Sequence, residues 1–311
     1  MRNITRTIYA ADLQDAKLLG INHLIPAYSD LNSALQNNNV VPFQPTPSTA
    51  GMETVESGAQ PATAYNASTD TNDLKLNIYC IGNGGHQMLS DNGVPYTDPI
   101  PHQPSDSCAY SLIPFVVVPV ASDLSPSTRT NYRLRKVIEL NSVLYAAYFA
   151  KVLDVSSSAP STVMNTVSNG ITTPSSFVPG PSNQAPNKNN AIGAQNNGSY
   201  LSVTSTLGIA FSADDVNNLI AACELLYGSA NFAVVSEIIL ATSVDKPVTG
   251  QYPNSGTQTV GSPSSGGLFE AIGAQASVII SDYYPVNNLT QGFNITLDVG
   301  TTEPLFGSPT E

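Results

Sequence analysis

Apolar residues along this chain gather mainly into short unbroken runs and only twice into a helical period. Six runs stand out: "LKLNIYCI" (74–81), "LIPFVVVPV" (112–120), "YLSVTSTLGIAF" (200–211), "FAVVSEIILATSV" (232–244), "ASVIISDYY" (276–284) and "FNITLDV" (293–299). They are rich in β-branched and aromatic residues and bounded by Gly, Pro, Asn and Ser, which is the composition of strands. Their largely continuous apolar character implies burial on both faces of a sheet. Residues 136–155, "KVIELNSVLYAAYFAKVLDV", divide at Asn141–Ser142 into two further strands, although the alanines leave a helix open. Ahead of them Ser125 and Pro126 are placed as cap and first residue of a short helix.

Helical spacing marks two segments. Over residues 9–20, Ala10, Leu13, Lys17 and Leu18 recur at helical intervals, and Gly20 supplies the stop. The better specified helix is Ala213–Tyr227. Ser212 and Asp215 have the capping-box spacing, with Asp in place of Glu or Gln, and Asp214 complements the amino-terminal dipole. Val216, Leu219, Ile220, Cys223, Leu226 and Tyr227 form one apolar stripe that Gly228 ends. The expected fold is therefore mainly β (α+β), with antiparallel or mixed sheets, the helix at about 213–227 packed on a sheet, a short N-terminal helix, and long extended arms and loops.

Three stretches lack any sustained period: 36–72, 156–199 and 247–267, all dominated by Ser, Thr, Asn, Pro and Gly. Loops this long are uncommon in a compact domain and usually serve function or interaction. The chain thus reads as an N-terminal helix and lead-in (1–35), an extended arm (36–72), a first β-rich block (73–155), a long Ser/Pro/Asn loop (156–199) and a second β-rich block around the central helix (200–311). The arm differs from a plain linker in its apolar anchors Val40, Val41, Phe43, Met52, Val55 and Tyr65. Prolines at 42, 45 and 47 pre-extend it, which lowers the entropy lost when it is ordered against a partner.

Charge narrows the partners. Only 11% of the 311 residues are charged and the net charge is −12, which argues against duplex nucleic acid, where Lys and Arg supply the affinity. Arg129, Arg133, Arg135, Lys136 and Lys151 cluster in the sequence, and a solvated face or ion pairing with Glu139 accounts for them. No segment approaches the ~18 apolar residues of a membrane helix, and the N-terminal residues lack the apolar core of a secretory signal. Three cysteines do not make a disulfide framework. Synthesis in a reducing cytoplasm is the expectation.

One stretch resembles a motif for chemistry: "IYCIGNGGHQM" (78–88), with Gly82, Gly84 and Gly85 followed by His86. Position 87 is Gln, so the dinucleotide fingerprint lacks its third glycine, and Pro95 forbids a helix interior after it. A P-loop lacks its Lys and Ser/Thr. Cys80 and His86 are six positions apart, as are His102 and Cys108, which offers two Cys and two His to zinc. Structural zinc pairs normally lie two to five residues apart, so no metal and no other cofactor is expected. Asn83–Gly84 is a strong two-residue hairpin signal, and the glycines then serve positive φ or a close backbone approach. With no Gly-x-Ser-x-Gly elbow and no histidine in a strong motif, no catalytic residue is expected either. Cys223 lies in the apolar stripe as a core thiol.

Long Pro/Ser/Asn loops, the arm 36–72, low charge and β-rich blocks ending in "GFNITLDVGTTEPLFGSPTE" give the chain a style that resembles structural proteins of tailed-bacteriophage virions, of the tail, baseplate and neck type. The resemblance implies a non-enzymatic subunit made in the host cytoplasm and assembled into a symmetric multi-copy particle, with copies of itself and other virion proteins as partners. A neck, collar or capsid-decoration protein is the nearest alternative. A receptor- or glycan-binding module is a second, suggested by the Asn- and Tyr-rich loops around Tyr283 and Tyr284, and a metal-dependent or hydrolytic enzyme is the last.

Overall fold

A computed structural model of the chain describes residues 2–25, 29–31, 35, 46–47, 63–66, 74–156, 158–178, 180, 195–248, 250–252, 256–258, 268–289 and 291–307. The fold is mainly β and antiparallel, as the runs imply. In chain order, β1 (Asn3–Arg6) leads into α1 (Ile8–Leu19), then come β2 (Asn22–Ile25), β3 (Thr46–Pro47), β4 (Thr63–Asn66) and β5 (Lys75–Gly82). The strands β6 (His86–Asp91), β7 (Val94–Pro99), β8 (Leu112–Ile113) and β9 (Val116–Pro119) precede the one-turn helix α2 (Pro126–Arg129). After it run β10 (Tyr132–Leu140), β11 (Val143–Val152), β12 (Ser161–Ser168), β13 (Ile171–Ser176) and β14 (Gln195–Phe211). Helix α3 (Ala213–Tyr227) is followed by β15 (Val234–Val248), β16 (Gly250–Tyr252), β17 (Gly256–Gln258), β18 (Leu268–Pro285) and β19 (Phe293–Gly307).

Two compact units emerge, each drawn from separated parts of the chain: Met1–Leu153 with Phe211–Phe293, and Asp154–Ala210 with Asn294–Glu311. Both units are discontinuous in the sequence. The first unit is built on a nine-stranded sheet ordered β1-β18-β15-β5-β11-β10-β3, with β8 beside β5 and β9 beside β11. Residues Ala233–Ser243, most of β15 among them, are buried without a break. One core face gathers Ile78, Cys80, Leu134, Phe149, Ile239 and Ile279, and Leu226 of α3 enters the same cluster.

Local chemistry explains the element ends. Ser212 Oγ accepts from Asp215 N–H at 3.1 Å and Asp215 Oδ2 accepts from Ser212 N–H at 3.0 Å, completing the capping box that the sequence spells with Asp. The hairpin turns Asn92–Gly93, Asn141–Ser142 and Asn169–Gly170 have positive φ at both central residues, the twist that matches paired strands.

The second unit holds a four-stranded sheet, β13-β12-β14-β19. The stretch 156–199, expected as a long loop, therefore contributes the hairpin β12–β13 and the start of β14. Its Ser and Thr side chains hide the strand, since they supply no apolar alternation while the backbone still pairs. Within this sheet a Cβ on Gly300 would collide with the Val203 carbonyl, so the strands approach there as only glycine allows. The stretch 247–267 likewise contains β16 paired with β17.

The basic cluster is not a solvated face, and Glu139, which is exposed, is not its partner. Arg133 makes a two-bond contact with Asp245, at 2.9 and 2.8 Å. Arg135 pairs with Asp123 at 2.8 Å and Lys151 with Asp215 at 2.8 Å. Asp123 also accepts from Tyr148 Oη at 2.7 Å. The side chains of Arg135 and Asp123 are 4% and 3% exposed, so their charges depend on each other. Replacing Asp123→Ala removes the carboxylate beside a buried guanidinium, and urea unfolding should register a loss of about 3–5 kcal/mol. The double variant Asp123→Leu with Arg135→Leu should lose less than the single one, and an equal or greater loss would contradict this account.

Candidate functional site

The three glycines of "IGNGG" surround a side chain of the chain itself. In the β5–β15 pairing Gly82 lies opposite Glu237, and directly opposed residues of an antiparallel pair project to the same face. A register shift between Val235 and Glu237 in the β15–β18 pairing adds a local bulge at this point. A Cβ on Gly82 would lie 2.6 Å from Glu237 Oε2, and one on Gly85 would be closer still to Glu237 Cγ. None of Gly82, Gly84 and Gly85 has positive φ. What they provide is space for a carboxylate, not backbone freedom.

Glu237 is 0% exposed, and each carboxylate oxygen is met by donors. Gly84 N–H donates to Oε2 at 3.0 Å, and Tyr110 N–H donates to Oε1 at 2.7 Å. His102 Nε2 lies 2.8 Å from the same Oε1. Gly85 N–H turns instead to Ser236 Oγ, at 3.0 Å. The glycine-rich turn thus closes around an internal carboxyl group, with Gly84 N–H donating to it.

This also corrects the hairpin expected at Asn83–Gly84. β5 and β6 do not pair, and β6 pairs with β7 through the Asn92–Gly93 turn. The polar groups of Asn83 are engaged elsewhere: its N–H donates to Ser111 O at 2.9 Å, its Nδ2 to Phe232 O at 3.2 Å, and its Oδ1 accepts from Ser111 Oγ at 2.6 Å.

His102 is clamped between two carboxylates. Its Nδ1 is 2.8 Å from Asp106 Oδ2, which also accepts from Gln103 N–H at 2.9 Å. The imidazole side chain is 1% exposed and stacks on Tyr110 with centroids 4.3 Å apart. Burial works to lower the pKa of His102, but hydrogen bonds from Glu237 and then Asp106 outweigh it and hold the group above its ordinary value. His102, Ser105, Asp106, Ser107, Cys108 and Tyr110 line an open depression of about 320 Å³.

The four residues considered for zinc are not gathered as a ligand set. Cys80 is in the sheet core, where burial pushes its thiol well up. Cys108 packs against that core with its thiol pushed up to about 12 by burial. His86 rests edge-on against Tyr283 at 5.0 Å, and burial lowers its pKa. Among the described residues no group of three or more His, Cys, Asp or Glu is placed to hold a metal ion. Cys223 is buried on α3, its thiol also pushed up to about 12. Both nitrogens of His102 face carboxylates, so the ring offers no open lone pair to a substrate. Tyr284 stacks on Phe293 at 5.5 Å and donates to Asp282 at 2.8 Å, so this tyrosine is committed to packing. Of the arm anchors, Val40, Val41, Phe43, Met52 and Val55 lie outside the described residues, while Tyr65 is on β4 opposite His23.

Sequence reasoning passed over Glu237 and Asp106. The one signal for Glu237 is a lone carboxylate inside the run "AVVSEIIL". A Cβ on Gly85 would collide with Glu237, so Gly85→Ala should cost about 1–3 kcal/mol by overpacking. In a Glu237→Ala background the same substitution should cost measurably less, and a double-mutant cycle by chemical unfolding reads the coupling. Simple additivity would contradict a steric role.

No curated protein and no solved structure matches the chain. A family model does match, over residues 59–311, a span that holds the glycine turn, His102, Asp106 and Glu237. The chain belongs to the family of unknown function DUF7208.

Proposed function

We propose that the chain is a non-enzymatic structural subunit of a tailed-bacteriophage virion, in the tail or baseplate region, that assembles into a symmetric multi-copy complex through extended segments. Neck, collar or capsid decoration are alternative positions for the same kind of subunit. The observation that carries this reading is how the described parts of 36–72 are held. Thr46–Pro47 pairs with Ile138–Glu139 at the edge of the large sheet, and Thr63–Asn66 pairs with Asn22–Ile25. Both attachments run through the main chain. Such pairing works equally well whether the strand comes from the same chain or from a neighbour, so exchange between copies needs no new kind of contact.

The chemistry of the buried cluster supports the same reading. His102 has both nitrogens engaged, and all three thiols are pushed up by burial, which leaves no activated base or nucleophile among them. Partners are then copies of the chain and other virion proteins, the site of action is the particle, and the net charge of −12 disfavours nucleic acid.

Replacing residues 36–72 by a Gly/Ser stretch of equal length tests the proposal. The variant should keep the far-ultraviolet dichroism of the parent, yet remain monomeric in sedimentation where the parent forms a concentration-dependent multimer. A parent that stays monomeric at high concentration, or a variant that assembles equally well, would overturn it. Specific oligosaccharide binding by the isolated monomer would instead favour the glycan-binding reading.

A further inference from the structure

The segment Ile100–Ser111 is a strap with attachments at both sides. Toward the N-terminal segment, Ile8 N–H donates to Pro104 O at 2.8 Å, Thr5 Oγ1 to His102 O at 3.1 Å and Tyr9 Oη to Ser105 O at 3.2 Å. Toward the sheet, Ile100 N–H donates to Gly85 O at 2.8 Å, and Tyr110 N–H to Glu237 at 2.7 Å. The His102 side chain ties the middle of the strap to Glu237.

Where both carboxyl groups are ionised, donor counting selects the imidazolium. Glu237 Oε1 and Asp106 Oδ2 each already accept a backbone N–H, from Tyr110 and Gln103. A neutral imidazole has one N–H and one lone pair, whereas the imidazolium has two N–H groups. Only the imidazolium donates to both carboxylates at 2.8 Å. If the ring loses a proton, one nitrogen presents a lone pair to a carboxylate, and that contact must open. Glu237 is fully buried and cannot turn to water, while the Asp106 side chain is 30% exposed and can.

We propose that His102 is a protonation latch: its imidazolium closes the strap 100–111 onto Glu237, and loss of the Nδ1 proton releases Asp106 and the Gln103–Cys108 part of the strap, loosening its hold on Thr5, Ile8 and Tyr9. The released proton goes to solvent, and the neutral ring keeps Nε2–H on Glu237. The groups facing the ring are Glu237 from β15, Asp106, Cys108 and Tyr110 from the strap, and His86 from β6, which feels the charge of Glu237. His86 is lowered by burial, and Cys108 and Tyr110 are raised by it, so these neighbours stay neutral while His102 titrates. The sign follows from His102 itself, which is raised in the folded chain. Its contribution is complete below the ordinary value of about 6.5 and is lost as pH rises through the raised value.

Amide hydrogen exchange on the full chain, corrected for intrinsic exchange and followed from about pH 6 to about pH 10, reads the latch. Protection of 103–110 should fall by about tenfold relative to α3, with residues 5–9 following it. Nitrogen-15 spectra of the imidazole should show both nitrogens protonated at the lower pH. Asp106→Asn, at the rim of the cluster, should move the transition to lower pH, and His102→Gln should remove its pH dependence. Protection that tracks α3 throughout, an imidazole with a single proton at about pH 6, or a transition unmoved by Asp106→Asn would each overturn the proposal.

Discussion

A carboxylate with no exposure to water, on an interior strand of a nine-stranded sheet, constrains everything near it. Moving an ion out of water costs several kcal/mol, and only well-placed donors offset that cost. Glu237 obtains three of them from two separate parts of the chain: Gly84 in the glycine turn, and Tyr110 and His102 in the strap. Each of those parts is shaped by its duty to the carboxylate. The glycines exist to make room, the strap curves to bring two donors to one oxygen, and Asp106 holds the second nitrogen of the ring.

The same logic recurs across the sheet. A chain with only 11% charged residues still buries Arg133, Arg135 and Lys136. Arg133 and Arg135 each find an aspartate at the end of a different strand or turn. Sparse charge therefore does not mean an unimportant role for charge. Several of the charges in this fold are placed inside, as specific pairs that fix which segments lie together.

Much of the secondary structure was legible because local rules suffice for it. The capping box of Ser212 and Asp215, the stops at Gly20 and Gly228, and the apolar runs all act within a few residues. Residues 156–199 misled, since Ser- and Thr-rich strands lack the alternation that reveals a half-buried one. The cluster around Glu237 was hidden for a different reason. Its partners are 135, 127 and 153 residues away, so no spacing in the sequence announces them. The glycine turn was the visible half of the arrangement. The hairpin expected there did not form, because Asn83 bonds to Ser111 and Phe232.

The order of the strands sets a timetable for folding. β1 precedes β18 by most of the sequence, yet among the described residues β18 is its partner in the sheet, with Asn3 opposite Ser281. Hairpins such as β10–β11 close locally, but β1 must wait until β18 has been made. Contacts of such long range close slowly, and until they do the edge of β18 and the strand meant to cover it are both unpaired. A newly made chain is therefore most open to pairing with a neighbour at the very edge that its own first residues will later occupy.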